Sequence, residues 1–248
     1  MSILSVSRHP GAALQSVIYA ERVTHGDARV IRGVELDPER KLVALTFDDG
    51  PSRWTASVLD TLRPHGARAT FFLIGRHVPR HGDVLRRALH EGHELGNHFL
   101  THRSAEHLDE QEVLHELVET GNRVRAAAGV VPSLVRPPYG ADCERVARIA
   151  AEIELGPTVF WTFTTKDWRA KKPEPIVEKI LGQITPGAVV LMHDAVAPQP
   201  RPWNRRVARA TRSRRPTIAA LGEALEVLAS DGYRFVTVSE LLEAGTRP

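Results

Sequence analysis

One cysteine, Cys143, stands among 248 residues, which excludes an intramolecular disulfide and any multi-cysteine zinc site. It lies in an apolar, helix-like run, so a small buried filler is its expected role. Long hydrophobic runs are also missing. No window approaches the roughly 18 uncharged apolar residues of a membrane span, and no membrane partner is expected. The stretch nearest to an export signal is Gly11 to Ala20 (GAALQSVIYA), which follows Arg8 but is short and interrupted by Gln15. A cytoplasmic chain is the plain expectation, or an exported one whose signal lies elsewhere. Internal repeats are absent, and no glycine-rich phosphate loop follows the first strand pattern, which counts against nucleotide binding. Acidic residues are missing from Val196 to Pro216, which holds seven arginines. Subtracting those seven from the net charge of +3 leaves −4 elsewhere, so the basicity is one local segment. That segment reads as a solvated surface loop or as a docking site for an anionic polymer.

What is present is ordinary globular material, 42% apolar and 25% charged, which excludes a disordered or collagen-like chain. The length suits one α/β barrel or doubly wound domain of about 200–250 residues. Leu42 to Phe47 (LVALTF), Ala69 to Ile74 (ATFFLI), Thr158 to Phe163 and Ala188 to Met192 (AVVLM) are strand-length apolar runs. Glu94 to Asn97, Ser133 to Val135 and Arg234 to Val238 are shorter strand candidates. Helical spacing recurs between them. Asp109, with Glu112 three residues on, marks a capped helix to Ala128, and Thr237 with Glu240 marks another. Continuous apolar strands alternating with helices predict a parallel sheet buried on both faces. A closed or nearly closed (β/α) barrel of about seven parallel strands, in a single domain, fits best; an open doubly wound sheet is the runner-up. The expected organisation is a lead-in or cap over 1–40, then the barrel over 41–248 with an arginine-rich insertion at 196–216.

The polar residues of interest follow the strand ends, where parallel α/β folds build active sites. They are Asp48–Asp49–Gly50–Pro51, Asn97–His98 with His102, Arg136–Pro137–Pro138–Tyr139–Gly140, Asp167–Trp168 and His193–Asp194. Of the 12 histidines, two pairs are spaced H-x-x-x-H. His77/His81 brackets a proline at a helix start and reads as surface, whereas His98/His102 follows a strand. Adjacent carboxylates at the end of an apolar strand are costly unless compensated. Consecutive strand residues point to opposite sides, but the turn at Gly50–Pro51 can bring both into one pocket. A plain polar turn is the competing reading of DDGP. Two histidines and one carboxylate make a catalytic metal set, here Asp49, His98 and His102. Asp48 is then free as a base and His193 as an acid. Arg136 can orient Asp48, and Asp167 can orient His193.

Thr46–Phe47–Asp48–Asp49–Gly50–Pro51, His98-x-x-x-His102, Arg136–Pro137–Pro138–Tyr139, Asp167–Trp168 and Leu191–Met192–His193 resemble the five ordered motifs of the polysaccharide deacetylases. These are the NodB-homology enzymes of carbohydrate esterase family 4. The resemblance runs from about Val43 to Leu242. It implies a distorted (β/α) barrel that hydrolyses the N-acetyl group of N-acetylglucosamine units in chitin, peptidoglycan or related glycans. It implies Asp48 as base, His193 as acid, and one divalent metal on Asp49, His98 and His102: zinc, or else cobalt or nickel. Arg136 would steady Asp48 and Asp167 would tune His193. The Tyr139 N–H would hold the oxyanion, and Trp168 and Leu191 would line the acetyl slot.

Two residues depart from the family pattern. Phe99 stands where a Ser or Thr usually secures the metal loop, and Thr164 where an acid usually precedes Asp167. Two other functions stay open at this point. One is an intracellular amidohydrolase of a small acetamide on the same fold. The other is a non-catalytic glycan- or polyanion-binding domain. The expected partner is an N-acetylated glycan or small acetamide, with no protein partner, and an extracellular location follows if the glycan belongs to a cell wall.

Overall fold

The computed structural model describes residues 18–22, 29–197 and 213–246. Its central strand is β3 (Leu42–Asp48), buried along its whole length. Alternation sorts its side chains. Val43, Leu45 and Phe47 face the outer helices, while Leu42 and Ala44 pack inside the barrel, with Thr46 and Asp48 above them. β4 (Thr70–Leu73), β5 (Glu94–Asn97), β8 (Val189–His193) and β7 (Phe163–Thr164) extend the sheet in the order β5-β4-β3-β8-β7, and β9 (Arg234–Val236) pairs with the start of β3. Every pairing in this sheet is parallel.

A second sheet completes the wall: β1 (Ile18–Arg22), β2 (Arg29–Val34) and β6 (Thr158–Val159), in the order β1-β2-β6. Single bridges join the sheets, Asn97 to Val135 and Val135 to Thr158 on one side, Gly33 to Ala188 on the other. The result is a closed but irregular α/β barrel. Residues 29–34, expected within a lead-in or cap, are instead one of its strands. Val30 and Ile31 are fully buried there, and the Val34 N–H donates to the Gly187 carbonyl at 2.9 Å. The sequence shows no strand alternation there because both faces of β2 are covered.

Helices α1 (Thr55–Leu62), α2 (Gly82–His90), α5 (Glu174–Gln183) and α6 (Arg215–Ser230) cover the outer core, and α3 (Glu110–Ala128) packs with α4 (Cys143–Glu152) around Phe99 and Val135. α7 (Val238–Thr246) seats Val238 and Leu241 against the inner cluster. Each fully buried Val, Leu or Phe contributes about 1.5–3 kcal/mol. The Asp109–Glu112 capping box forms, and Thr237 and Glu240 exchange the same pair of bonds. Cys143 is buried and free, as expected.

Two strand expectations change. The run from Thr158 to Phe163 breaks at Phe160–Trp161, because the Val159 and Phe160 carbonyls are taken by the Arg136 guanidinium at 2.9 and 2.7 Å. Ser133 to Val135 shrinks to the single bridging residue Val135.

Candidate active site

The register of β3 and β8 sets Asp48 directly beside His193. Leu191 lies two residues before His193 and so shares its face of β8; it is 5% exposed. Asp49 follows Asp48 but adopts φ 75°, in the left-handed region that Asp tolerates better than most residues. This backbone turn brings both carboxylates into one cavity, which a continuing strand would not do. Gly50 makes room for the turn: a Cβ there would lie 2.5 Å from an Asp194 carboxylate oxygen.

The two carboxylates have different partners. Asp48 Oδ1 accepts from Arg136 Nη1 at 2.7 Å. Arg136 is fully buried and also donates to Thr46 Oγ1 at 2.8 Å, with Phe72 4.0 Å from its guanidinium carbon. Asp49 Oδ1 lies 3.2 Å from His102 Nε2, while His98 Nε2 sits between the two carboxylates, 3.7 Å from Asp49 Oδ1 and 3.7 Å from Asp48 Oδ2. The other Asp49 oxygen accepts the Ala197 N–H at 3.0 Å. Burial pushes the Asp49 carboxyl up, but its bond to His102 and the charges of His193, His102 and His98 outweigh burial and hold it well below the usual carboxylate range.

Asp49, His98 and His102 place one ligand atom each within 4.8 Å of one another, the only such group among the described residues. The His98 Nδ1 lies 2.6 Å from the Arg136 carbonyl, which accepts its proton and leaves the Nε2 lone pair facing the cluster. Burial holds His98 below the ordinary imidazole value, in the neutral form a metal requires. The donor set therefore fits a divalent metal.

The His193 side of the cavity is equally built. Asp167 is buried and accepts from His193 Nδ1 at 2.8 Å, from the His193 N–H at 3.0 Å and from Thr217 Oγ1 at 3.0 Å. Burial pushes His193 down, but the charge and bond of Asp167, with the charges of Asp49 and Asp48, raise it to about 9. The Trp168 ring meets His193 edge-on at 5.2 Å, and the Tyr139 ring meets His102 at 4.8 Å. At 39% and 56% exposed, Trp168 and Tyr139 are rim residues.

The structure thus brings Asp48, Asp49, His98, His102, Arg136, Asp167 and His193 together, with Tyr139 and Trp168 at the edge. It corrects two surface readings. His77 is half-buried, with Nδ1 3.1 Å from the Asp49 carbonyl. Arg214, one of the seven arginines read as a solvated loop, is 1% exposed, with Nη1 3.7 Å from Asp167 Oδ2. Residues 198–212 of that segment lie outside the described residues. The sequence placed Asp194 beside His193 at a strand end but assigned it no role. Its carboxyl accepts from Thr55 Oγ1 and its carbonyl from Ser52 Oγ at 2.6 Å. Burial, partly offset by Thr55 and reinforced by the charge of Asp49, pushes it up to about 7. Its place beside His193 was the available signal.

The chain is similar to known proteins in sequence and fold. The family model for polysaccharide deacetylase matches residues 35–157. The chain is 38% identical over 202 residues to peptidoglycan-N-acetylglucosamine deacetylase PgdA of Listeria monocytogenes, covering 81% of this chain but 39% of that protein. It is 33% identical over 226 residues to a chitooligosaccharide deacetylase of Bradyrhizobium sp., covering 90% of this chain and 97% of that one. The crystal structure of the Bc1960 peptidoglycan N-acetylglucosamine deacetylase superposes with a TM-score of 0.73 at 29% identity, covering 88% of this chain and 94% of that one. The chain belongs to the polysaccharide deacetylase family.

Proposed function

We propose that this chain hydrolyses the N-acetyl amide of N-acetylglucosamine units in a glycan, peptidoglycan or chitin-like, and releases acetate. The observation that carries this reading is the division between the adjacent aspartates, Asp48 bonded to Arg136 and Asp49 set against His102, with His98 between them. Asp49, His98 and His102 would hold one divalent ion, zinc by its preference for this donor set with cobalt or nickel as alternatives, and such an ion would supply Lewis-acid polarisation of the acetamide carbonyl. Asp48, held by Arg136, accepts a proton from the attacking water. The Tyr139 N–H steadies the developing oxyanion. As the C–N bond breaks, protonated His193 delivers its proton to the leaving amine nitrogen, and Asp167 stabilises the imidazolium beforehand. Trp168 and Leu191 bound the space for the acetyl methyl. The arginine-rich segment, 196–216, favours substrates carrying acidic groups.

Acetate release from chitooligosaccharides, peptidoglycan and small acetamides tests this, together with zinc titration calorimetry on two variants. Asp48→Asn is expected to abolish turnover and keep the metal; Asp49→Asn is expected to lose the metal. Release from small acetamides alone would replace the glycan reading with the small-amide one. Equal loss of metal in both variants would refute the division of labour.

A further inference from the structure

The two histidine ligands are not held alike. His98 is fixed from behind by its Nδ1 bond to the Arg136 carbonyl. The His102 Nδ1 is buried and has no hydrogen-bond partner among the described residues. A metal-ligating imidazole ordinarily takes its orientation from such a bond; His102 has instead the Tyr139 ring against its face and the backbone that carries it. That backbone is unfavourable in itself. Phe99 and His102 both adopt left-handed conformations, at φ 62° and 64°, which side-chain-bearing residues avoid.

One carboxylate from another element holds this loop. Glu116, in the middle of α3, is 4% exposed. Its Oε2 accepts the N–H groups of Leu100 and Thr101 at 2.7 and 2.8 Å, and its Oε1 accepts Thr101 Oγ1 at 2.5 Å. It forms no ion pair among the described residues. A buried carboxylate is costly without compensation, and these three donors all come from the loop between the histidines. A hydrogen-bonded charge is a stronger anchor than a neutral acceptor. The helix behind it is fixed at both ends, by the Asp109–Glu112 box and the left-handed Gly129. The same helix takes a second tie, from Asn97 Nδ2 to the Leu117 carbonyl at 2.9 Å, while Asn97 Oδ1 accepts the Phe99 N–H at 3.0 Å.

We infer that Glu116 is the positioning residue for the His102 ligand, substituting at the backbone for the bond that His102 lacks at its ring. This rests on the metal-site reading above. Its effect is on metal affinity and ligand geometry rather than on any reacting atom.

The test is Co2+ binding to the purified full chain, followed by visible absorption and calorimetry without substrate. Glu116→Ala is expected to weaken Co2+ binding about 10- to 100-fold, the usual cost of losing an outer partner of a ligand, and to alter the ligand-field bands. Glu116→Gln, which keeps an acceptor and the volume, is expected to recover most of the affinity. A folded Glu116→Ala protein that binds Co2+ within threefold of the parent, with the same spectrum, overturns the inference. If that variant does not fold, Glu116→Met, which keeps the side chain's length while removing both acceptor oxygens, takes its place, and the same two results decide. Failure of the parent chain to bind Co2+ would overturn the metal site itself, a distinguishable outcome.

Discussion

His193 and Asp167 show how a residue acquires its chemistry from its neighbours. Imidazole in a buried site loses its proton, since burial penalises the charged form. Asp167 reverses that, and His193 stays protonated up to about 9. Asp167 itself is held below its usual range against burial, by the charge and bond of His193 and the charge of Arg214. If His193 is the acid, turnover is lost as pH rises through its pKa. Removing the Asp167 charge leaves burial unopposed and lowers that pKa. Asp167→Asn is therefore expected to shift the basic limb of kcat/KM to lower pH. A pH–rate profile of both proteins checks this, and an unmoved basic limb would remove His193 from the acid role. The motif residues themselves were legible from chemistry at strand ends. Asp194, His77, Glu116 and Thr217 were not, because each acts on a residue far from it in sequence or through a backbone group.

At the scale of elements, strands and helices followed from apolar runs and caps, with β1, β2, the shortening of Ser133–Val135 and the break at Phe160 as the exceptions. Two of these are tertiary: β2 is covered on two faces, and the segment at Phe160 gives its carbonyls to Arg136. The join of β2 to the barrel depends on Gly187, at φ 83°, where a Cβ would fall 1.6 Å from the Val34 carbonyl oxygen. Gly182, near the end of α5, has nothing within 4 Å of such a Cβ. Gly187→Ala is expected to destabilise the chain by more than about 2 kcal/mol, from backbone strain and the lost approach of β2. Gly182→Ala is expected to stabilise it by about 0.5–1 kcal/mol, since alanine is the better helix former. Urea unfolding of the pair checks both signs.

For the whole molecule, the charge is lopsided: seven arginines without an acid within 196–216, and −4 in the remainder. The structure separates Arg214 from the rest, because it is buried beside Asp167. Replacing Arg201, Arg205, Arg206, Arg209 and Arg212 by Ser is expected to raise KM for an anionic glycan and flatten its salt dependence, with a short neutral acetamide unaffected. The reasoning is screening over a Debye length of about 8 Å at physiological salt. Arg214→Ser is expected to lower kcat on both substrates. Steady-state kinetics across a salt series distinguishes the two outcomes, and identical salt profiles would reduce the segment to a solvated surface. No described helix is long and apolar enough to cross a membrane.

The sequence by itself determined the class of fold, through apolar strands alternating with capped helices, and the inventory of the site, through carboxylate, imidazole and guanidinium placed after strand ends. These are local signals, carried by composition and by spacing of a few residues. The tertiary structure decided the partners. Asp48 and Asp49 are chemically identical in the sequence, and only barrel closure puts Arg136 against one and His102 against the other. It also decided that Arg214 is an interior charge, that residues 29–34 are barrel wall, and that α3 reaches under the metal loop with Glu116. Such contacts join segments far apart along the chain, and their geometry depends on closing the barrel, which no local pattern encodes.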